Sequence, residues 1–119
     1  MEIFKSPDYL IIHLKRFSHQ RTSFFGSRKI SELVDFPIEN LDLKSYVIPG
    51  KEEKSMVYDL YAVSNHFGSL NGGHYTAFAK NPIYQRWFEF DDSDVSKHDP
   101  AKSVTKAAYV LFYKRRTTK

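Results

Sequence analysis

Between His74 and Asp91 two strand-like runs flank a short turn, and no other feature of the sequence limits the fold as much. His74 to Lys80 alternates His, Thr and Phe against Tyr, Ala and Ala, the period that sends successive side chains to opposite faces of a sheet. Arg86 to Asp91 is aromatic and extended in propensity, and Asn81 to Gln85 between them is rich in turn formers. Gly72 and Gly73 permit a sharp or close-packed entry to the first run. If Lys80 pairs with Gln85 across the loop, the register sets Phe78 opposite Trp87, Thr76 opposite Glu89 and His74 opposite Asp91. Opposed Cβ atoms lie about 4.5–5.5 Å apart, near enough for a carboxylate to accept a hydrogen bond from an imidazole. Such a pair is the orienting half of a nucleophilic triad, in which the acid fixes the tautomer while the other ring nitrogen takes a proton from the nucleophile. A slip of one residue brings Phe90 or Asp92 across from His74, which makes Asp92 the reserve carboxylate.

The remaining segments are also strand-like. Tyr9 to Phe17, after Pro7, reads as a strand buried on both faces near its start, and Val57 to His66 as a central strand with Tyr58, Leu60 and Ala62 on one face and Tyr61 and Val63 on the other. Glu32 to Phe36 is a short strand stopped by Pro37, and Ala107 to Arg115 closes the chain as another. Ser18 to Ser31, with Phe24, Phe25 and Gly26 at its middle, suits a long hairpin tip or loop, and Phe24 and Phe25 are expected to fold back on the sheet. Pro49 to Lys54 and Ser93 to Lys106 read as loops, the latter with a helical turn. These segments give about six strands and little helix: a mainly β, twisted antiparallel sheet with long loops, one face of which needs covering by sequence outside the chain. His13, inside an apolar run, is expected to be a packed side chain without chemistry.

Composition narrows the function classes. With 119 residues, 41% hydrophobic and 16% aromatic, the chain is long enough for one domain with a core. No apolar run approaches the roughly 18 residues that cross a bilayer, and MEIFKSP lacks the apolar block of a secretory leader, so an intracellular protein without a membrane partner is expected. The absence of cysteine excludes disulfides, thiolate metal sites and a cysteine nucleophile within these residues. Lys and Arg exceed Asp and Glu by 18 to 14, partly through Lys114, Arg115, Arg116 and Lys119, which read as a solvated basic tail. No basic and aromatic residues interleave in a nucleic-acid motif, so no nucleic-acid partner is expected. His66 and His74 flank the loop from Phe67 to Gly73 and with Asp91 offer three metal ligands, but no HExxH or similar spacing accompanies them. Asn65 beside His66 reads as turn chemistry, and no metal or other cofactor is expected.

PDYLIIHLKRFS at 7–18, VDFPIENLDLKSYV at 34–47, YDLYAVSNHFGSLNGGHYTAFAKN at 58–81, RWFEFDDSDVS at 86–96 and AAYVLFYKR at 107–115 resemble blocks of the ubiquitin-specific proteases, papain-like cysteine deubiquitinases, in family order. GGHYTA followed by WFEFDDSDV resembles the family's histidine box. The resemblance implies that residues 1–119 form the C-terminal portion of that catalytic domain, the sheet-bearing half of an α+β papain-like fold, with Met1 just after the family's second cysteine pair. It implies that His74 is the general base, Asp91 its partner and Asp92 a supporting acid, and that His66, Gly73 and Tyr75 line the channel for the Gly-Gly tail of ubiquitin behind a gate at Phe67 to Gly73. The family's nucleophile is a cysteine on a helix of the other lobe, preceded by an oxyanion-stabilising polar residue, and this chain carries neither. The expected activity is thiol-dependent hydrolysis at ubiquitin's C-terminal glycine, with the chain inactive alone. The implied partners are ubiquitin, ubiquitinated proteins and the N-terminal cysteine-bearing half, in the cytoplasm, the nucleus or both. The alternative is a non-catalytic ubiquitin-binding or scaffold module.

Overall fold

The computed structural model of the chain describes residues 7–19, 27–30, 32–44, 56–69 and 72–116. Among these, β1 is Tyr9–His13, β2 Phe17–His19, β3 Ser27–Lys29, β4 Leu41–Asp42, β5 Val57–Phe67, β6 His74–Asn81, β7 Arg86–Asp91, β8 Asp94–Lys97 and β9 Ala108–Arg115, with a 3-10 turn at Pro100–Lys102. Seven strands form a single open antiparallel sheet in the order β1-β9-β5-β6-β7-β8, with β4 on β5, and β2 and β3 form a separate hairpin. The molecule is therefore mainly β, and at 18 Å its shortest dimension is one sheet with loops against it. Among the described residues no helix is long and apolar enough to cross a membrane.

β5 is central, as its apolar run requires, and is held by β4 and β6 on one side and β9 on the other. Tyr58, Leu60 and Val63 of β5, Leu111 and Tyr113 of β9, Phe78 of β6 and Trp87 of β7 are buried in one cluster with Phe36, Leu43 and Met56 from the connecting segments. Val63 was expected on the face opposite Tyr58. A register shift between Leu60 and Ala62 makes Tyr61 the extra residue, and the alternation resumes one position later with Val63 inward. Tyr113 donates its hydroxyl proton to the Pro37 carbonyl at 2.7 Å, and burial pushes its pKa up to about 12.

Other expectations change in detail. Tyr9 to Phe17 divides into β1 and β2, and β1 is an edge strand with Tyr9 and Ile11 exposed, so it is not buried on both faces. Glu32 to Phe36 is not a strand. The buried Arg16 guanidinium donates to the carbonyls of Ile30 at 3.1 Å, Glu32 at 2.8 Å and Ala108 at 2.5 Å, so the start of this segment is tied to a side chain instead of a ladder. Within Ser93 to Lys106 the chain forms β8 before the 3-10 turn, because a tight turn at Asp92 and Ser93 folds it back on β7. Arg115 is buried and bonds Asp8 at 3.0 Å, and Arg116 grips Asp59 at 2.6 and 3.0 Å, so this part of the basic tail is paired rather than merely solvated. His13 is exposed and packs edge-on to Tyr109, with ring centroids 4.6 Å apart. Phe24, Phe25, Gly26, Tyr46, Lys119 and the loop at Pro49 to Lys54 lie outside the described residues.

The face opposite the core carries Tyr9, Ile11, Tyr61, Phe112, Phe88, Phe90 and Val95 around the small Ala62, Ala77 and Ala79, as the registers require. Tyr9, Ile11, Phe90 and Val95 are exposed there.

Candidate active site

β6 and β7 pair with Asn81 opposite Arg86, Lys80 opposite Trp87, Phe78 opposite Glu89 and Ala77 opposite Phe90, a register two residues from the expected one. The turn decides this. The Asn81 side-chain oxygen accepts from the amides of Ile83 at 2.9 Å and Tyr84 at 3.0 Å, so Asn81 ends the strand and the loop runs from Pro82 to Gln85, with Gln85 in the left-handed region at φ 58°. A shift of two keeps every side chain on its face, because the strand period is two. His74 and Asp91 thus become diagonal neighbours, still within reach, and His74 Nε2 lies 2.7 Å from Asp91 Oδ1. The carboxylate can only accept, so Nε2 bears the proton it shares and Nδ1 is the nitrogen left to act as a base. Both side chains are about half exposed, at 48% and 49%, so an incoming group has access to them.

Asp92 sits in the turn at φ 51°, a conformation that Asp tolerates, with its carboxylate, that of Asp91 and a His74 ring nitrogen all within 4.8 Å of one another. The three donors suggested by the sequence for a metal were His66, His74 and Asp91, and the structure separates them. Directly opposed residues share a face, so His66 with Tyr75 lies on the opposite side of the sheet from Phe67 with His74. His66 is fully buried, its ring 4.8 Å from Tyr75 and 5.6 Å from Tyr109.

Gly73 is where the close packing expected at the entry to β6 occurs. A Cβ there would overlap the His66 ring, within 2.7 Å of its Cε1 and of the Phe67 carbonyl oxygen, whereas among the described residues one on Gly72 would come nearest the Ser69 hydroxyl, at 3.7 Å. Among the residues suggested to form a channel, Gly73 and His66 therefore touch, Tyr75 is exposed beside them, and His74 follows on the far side of the sheet.

Asn65 was read as turn chemistry, and this is corrected: it lies in β5 and is 1% exposed, with its amide donating to Thr76 Oγ1 at 3.2 Å. Local pattern carried no signal for this: Asn65 has the parity of Tyr61 and Val63, and only the register shift at Tyr61 turns it inward. Asn65, Thr76, Phe78, Glu89, Phe67 and Lys106 line a recess of about 380 Å³ on the face that carries His74 and Asp91. Thr76 is two residues from His74 along β6, and Glu89 two residues from Asp91 along β7. Beyond Phe78 the recess is backed by His98, which stacks on that ring at 3.7 Å and bonds the buried Ser103 hydroxyl at 2.8 Å. Burial lowers the His98 pKa.

A family model described as Ubiquitin carboxyl-terminal hydrolase matches residues 1–113. Ubiquitin carboxyl-terminal hydrolase 12 of Saccharomyces cerevisiae is 50% identical over 116 residues, 98% of this chain and 9% of the relative. Ubiquitin carboxyl-terminal hydrolase 9 of Arabidopsis thaliana is 48% identical over 97% of the chain and 12% of its own length. Among solved structures, the yeast SAGA DUB module containing Sgf73 matches 99% of the chain and 25% of the matched chain at 34% identity, with a TM-score of 0.82. The Ubp8, Sgf11, Sus1 and Sgf73 DUB module of SAGA bound to monoubiquitin matches 99% of the chain and 25% of the matched chain at 34% identity, with a TM-score of 0.81. The chain spans about a tenth of the length of these curated relatives.

Proposed function

The chain belongs to the ubiquitin carboxyl-terminal hydrolase family, and on that premise we propose that it is the histidine and carboxylate portion of a thiol-dependent deubiquitinating domain whose cysteine comes from polypeptide outside these residues. The observation that carries the proposal is the 2.7 Å contact between His74 Nε2 and Asp91 Oδ1, half open to solvent in a chain with no cysteine. His74 Nδ1 takes the thiol proton, because the thiolate is the nucleophile. Attack on the carbonyl carbon of ubiquitin's terminal glycine gives a thioester as the lysine amine leaves with the proton from His74. Water then loses a proton to His74, attacks the thioester carbonyl, and ubiquitin leaves with a free carboxylate as the thiol is restored. Asp91 holds the ring and stabilises its imidazolium, and Asp92 is the nearby second acid.

Ubiquitin and ubiquitinated proteins are the proposed substrates. A channel role for His66, Gly73 and Tyr75 is part of this reading: Gly73 packs directly on the buried His66 ring with the exposed Tyr75 beside them, and a tail ending in two glycines could pass such a wall where larger residues would clash. A reactive thiol requires a reducing compartment, so the proposed location is the cytoplasm, the nucleus or both.

The test replaces the matching 116 residues of the yeast relative with this chain. The chimera is expected to cleave ubiquitin from a lysine-linked substrate, with turnover abolished by His74→Ala and reduced less by Asp91→Ala because Asp92 partly substitutes. Turnover at the unsubstituted rate in the His74→Ala chimera overturns the assignment. A chimera that binds ubiquitin without cleaving it supports a non-catalytic ubiquitin-binding module instead.

A further inference from the structure

A buried amide oxygen in the recess beside the dyad is left without a partner. Asn65 is 1% exposed, its Nδ2 is used by Thr76 Oγ1, and its Oδ1 has no hydrogen-bond partner. A buried acceptor left unbonded costs as much as a lost hydrogen bond, so native proteins rarely keep one unless a partner arrives. Asn65 is one of the residues that line a recess of about 380 Å³. The half-buried Glu89 in the same wall is a second acceptor, with Lys106 as the cation of the lining, so the wall beside Asn65 offers acceptors to incoming N–H or O–H donors.

The position of the recess selects the occupant. It opens on the sheet face that carries His74 and Asp91, through Thr76 and Glu89, which are the nearest same-face neighbours of those residues on their strands. That face holds a base and its orienting acid but no thiol, and about three quarters of the matched solved chain lies outside the region of likeness. A nucleophile must come within hydrogen-bond reach of His74, and the segment bearing it passes over the neighbouring surface. We propose that Asn65 is a positioning residue: its Oδ1 accepts a hydrogen bond from the segment that bears the nucleophile, seating that segment in the recess and fixing the thiol against His74. This rests on the deubiquitinase reading and adds to it a residue that touches neither ubiquitin nor the dyad.

In the yeast chimera, Asn65→Leu removes the acceptor at similar volume, and Asn65→Asp keeps an acceptor oxygen that Thr76 can still meet with its hydroxyl. Asn65→Leu is expected to lower kcat about tenfold, the effect of one lost buried hydrogen bond on placement of the thiol, with KM and ubiquitin affinity changed less than about twofold. Asn65→Asp is expected to recover most of that loss. Unchanged kcat in Asn65→Leu, or equal loss of kcat in both variants with ubiquitin affinity retained, overturns the role. Should Asn65→Leu lose ubiquitin binding through misfolding, the Asp variant decides alone: kcat near that of the unsubstituted chimera supports the acceptor, and a tenfold fall refutes it. Failure of the underlying reading is seen elsewhere, as turnover that survives His74→Ala whatever stands at position 65.

Discussion

Gly73→Ala places one methyl group where the structure has none to spare. The added Cβ would overlap the His66 ring, within 2.7 Å of its Cε1 and of the Phe67 carbonyl oxygen. Neither obstacle yields easily: His66 is 1% exposed and enclosed by Tyr75 and Tyr109, and Phe67 is the β5 residue that pairs with His74. Overpacking of this kind costs about 1–3 kcal/mol, and where backbone must move the upper half of that range applies, so we expect a loss of about 2 kcal/mol. Trp87 is the sole tryptophan and is buried, so its fluorescence reports urea unfolding of the chain directly. The decisive comparison is a double-mutant cycle. His66→Ala costs stability by itself and removes the ring but not the Phe67 carbonyl, so Gly73→Ala made in that background should cost about 1 kcal/mol less than in the unsubstituted chain. Equal penalties in the two backgrounds would refute the claim that the His66 ring is what excludes a side chain from Gly73.

Two more perturbations follow from buried polar groups. Arg16→Met leaves the carbonyls of Ala108, Ile30 and Glu32 without their donor, and at about 1 kcal/mol for each the loss is about 3 kcal/mol in urea unfolding; a change under about 1 kcal/mol would mean that the guanidinium does not tie these segments together. For His98, burial lowers the pKa from 6.5, so the unfolded chain takes up the proton first as pH falls: its contribution to stability is complete above about pH 6.5 and is lost below it. His98→Phe keeps a ring against Phe78 but cannot protonate, so the urea midpoint should be lower throughout, since Ser103 loses its partner, yet decline less between about pH 6.5 and 5 than in the unsubstituted chain. Parallel declines would place the acid sensitivity elsewhere.

The parts of the fold set by period and propensity were legible in the sequence. β6 and β7 begin where their alternating and aromatic runs begin, β5 is central, and β9 is the last strand of the chain. The contact between His74 and Asp91 was reached through the wrong register. It survives because an error of two residues preserves the face, whereas an error of one would have turned Asp91 away. What misled the register was Asn81, whose side chain caps the turn and so extends β6 by one residue, a choice that lies in hydrogen bonds rather than in hydropathy. The shift at Tyr61 that brings Val63 inward was hidden for a related reason: it depends on how β5 meets β9, which local pattern does not carry. Long-range bonds likewise took Glu32 out of a strand, through Arg16, and the tight turn at Asp92 added β8. Asn65 was hidden by the same shift: it has the parity of Tyr61 and Val63, and only the extra residue at Tyr61 turns it into the core.

The account depends on Asp91 holding the His74 ring with its proton on Nε2, and nitrogen-15 NMR of the imidazole tests that directly. The chain should show a His74 ring proton on Nε2 that is shifted downfield by its hydrogen bond to the carboxylate, with Nδ1 unprotonated when the ring is neutral, and Asp91→Ala should abolish the shift. A His74 proton on Nδ1, or the same Nε2–H signal in Asp91→Ala, would contradict it.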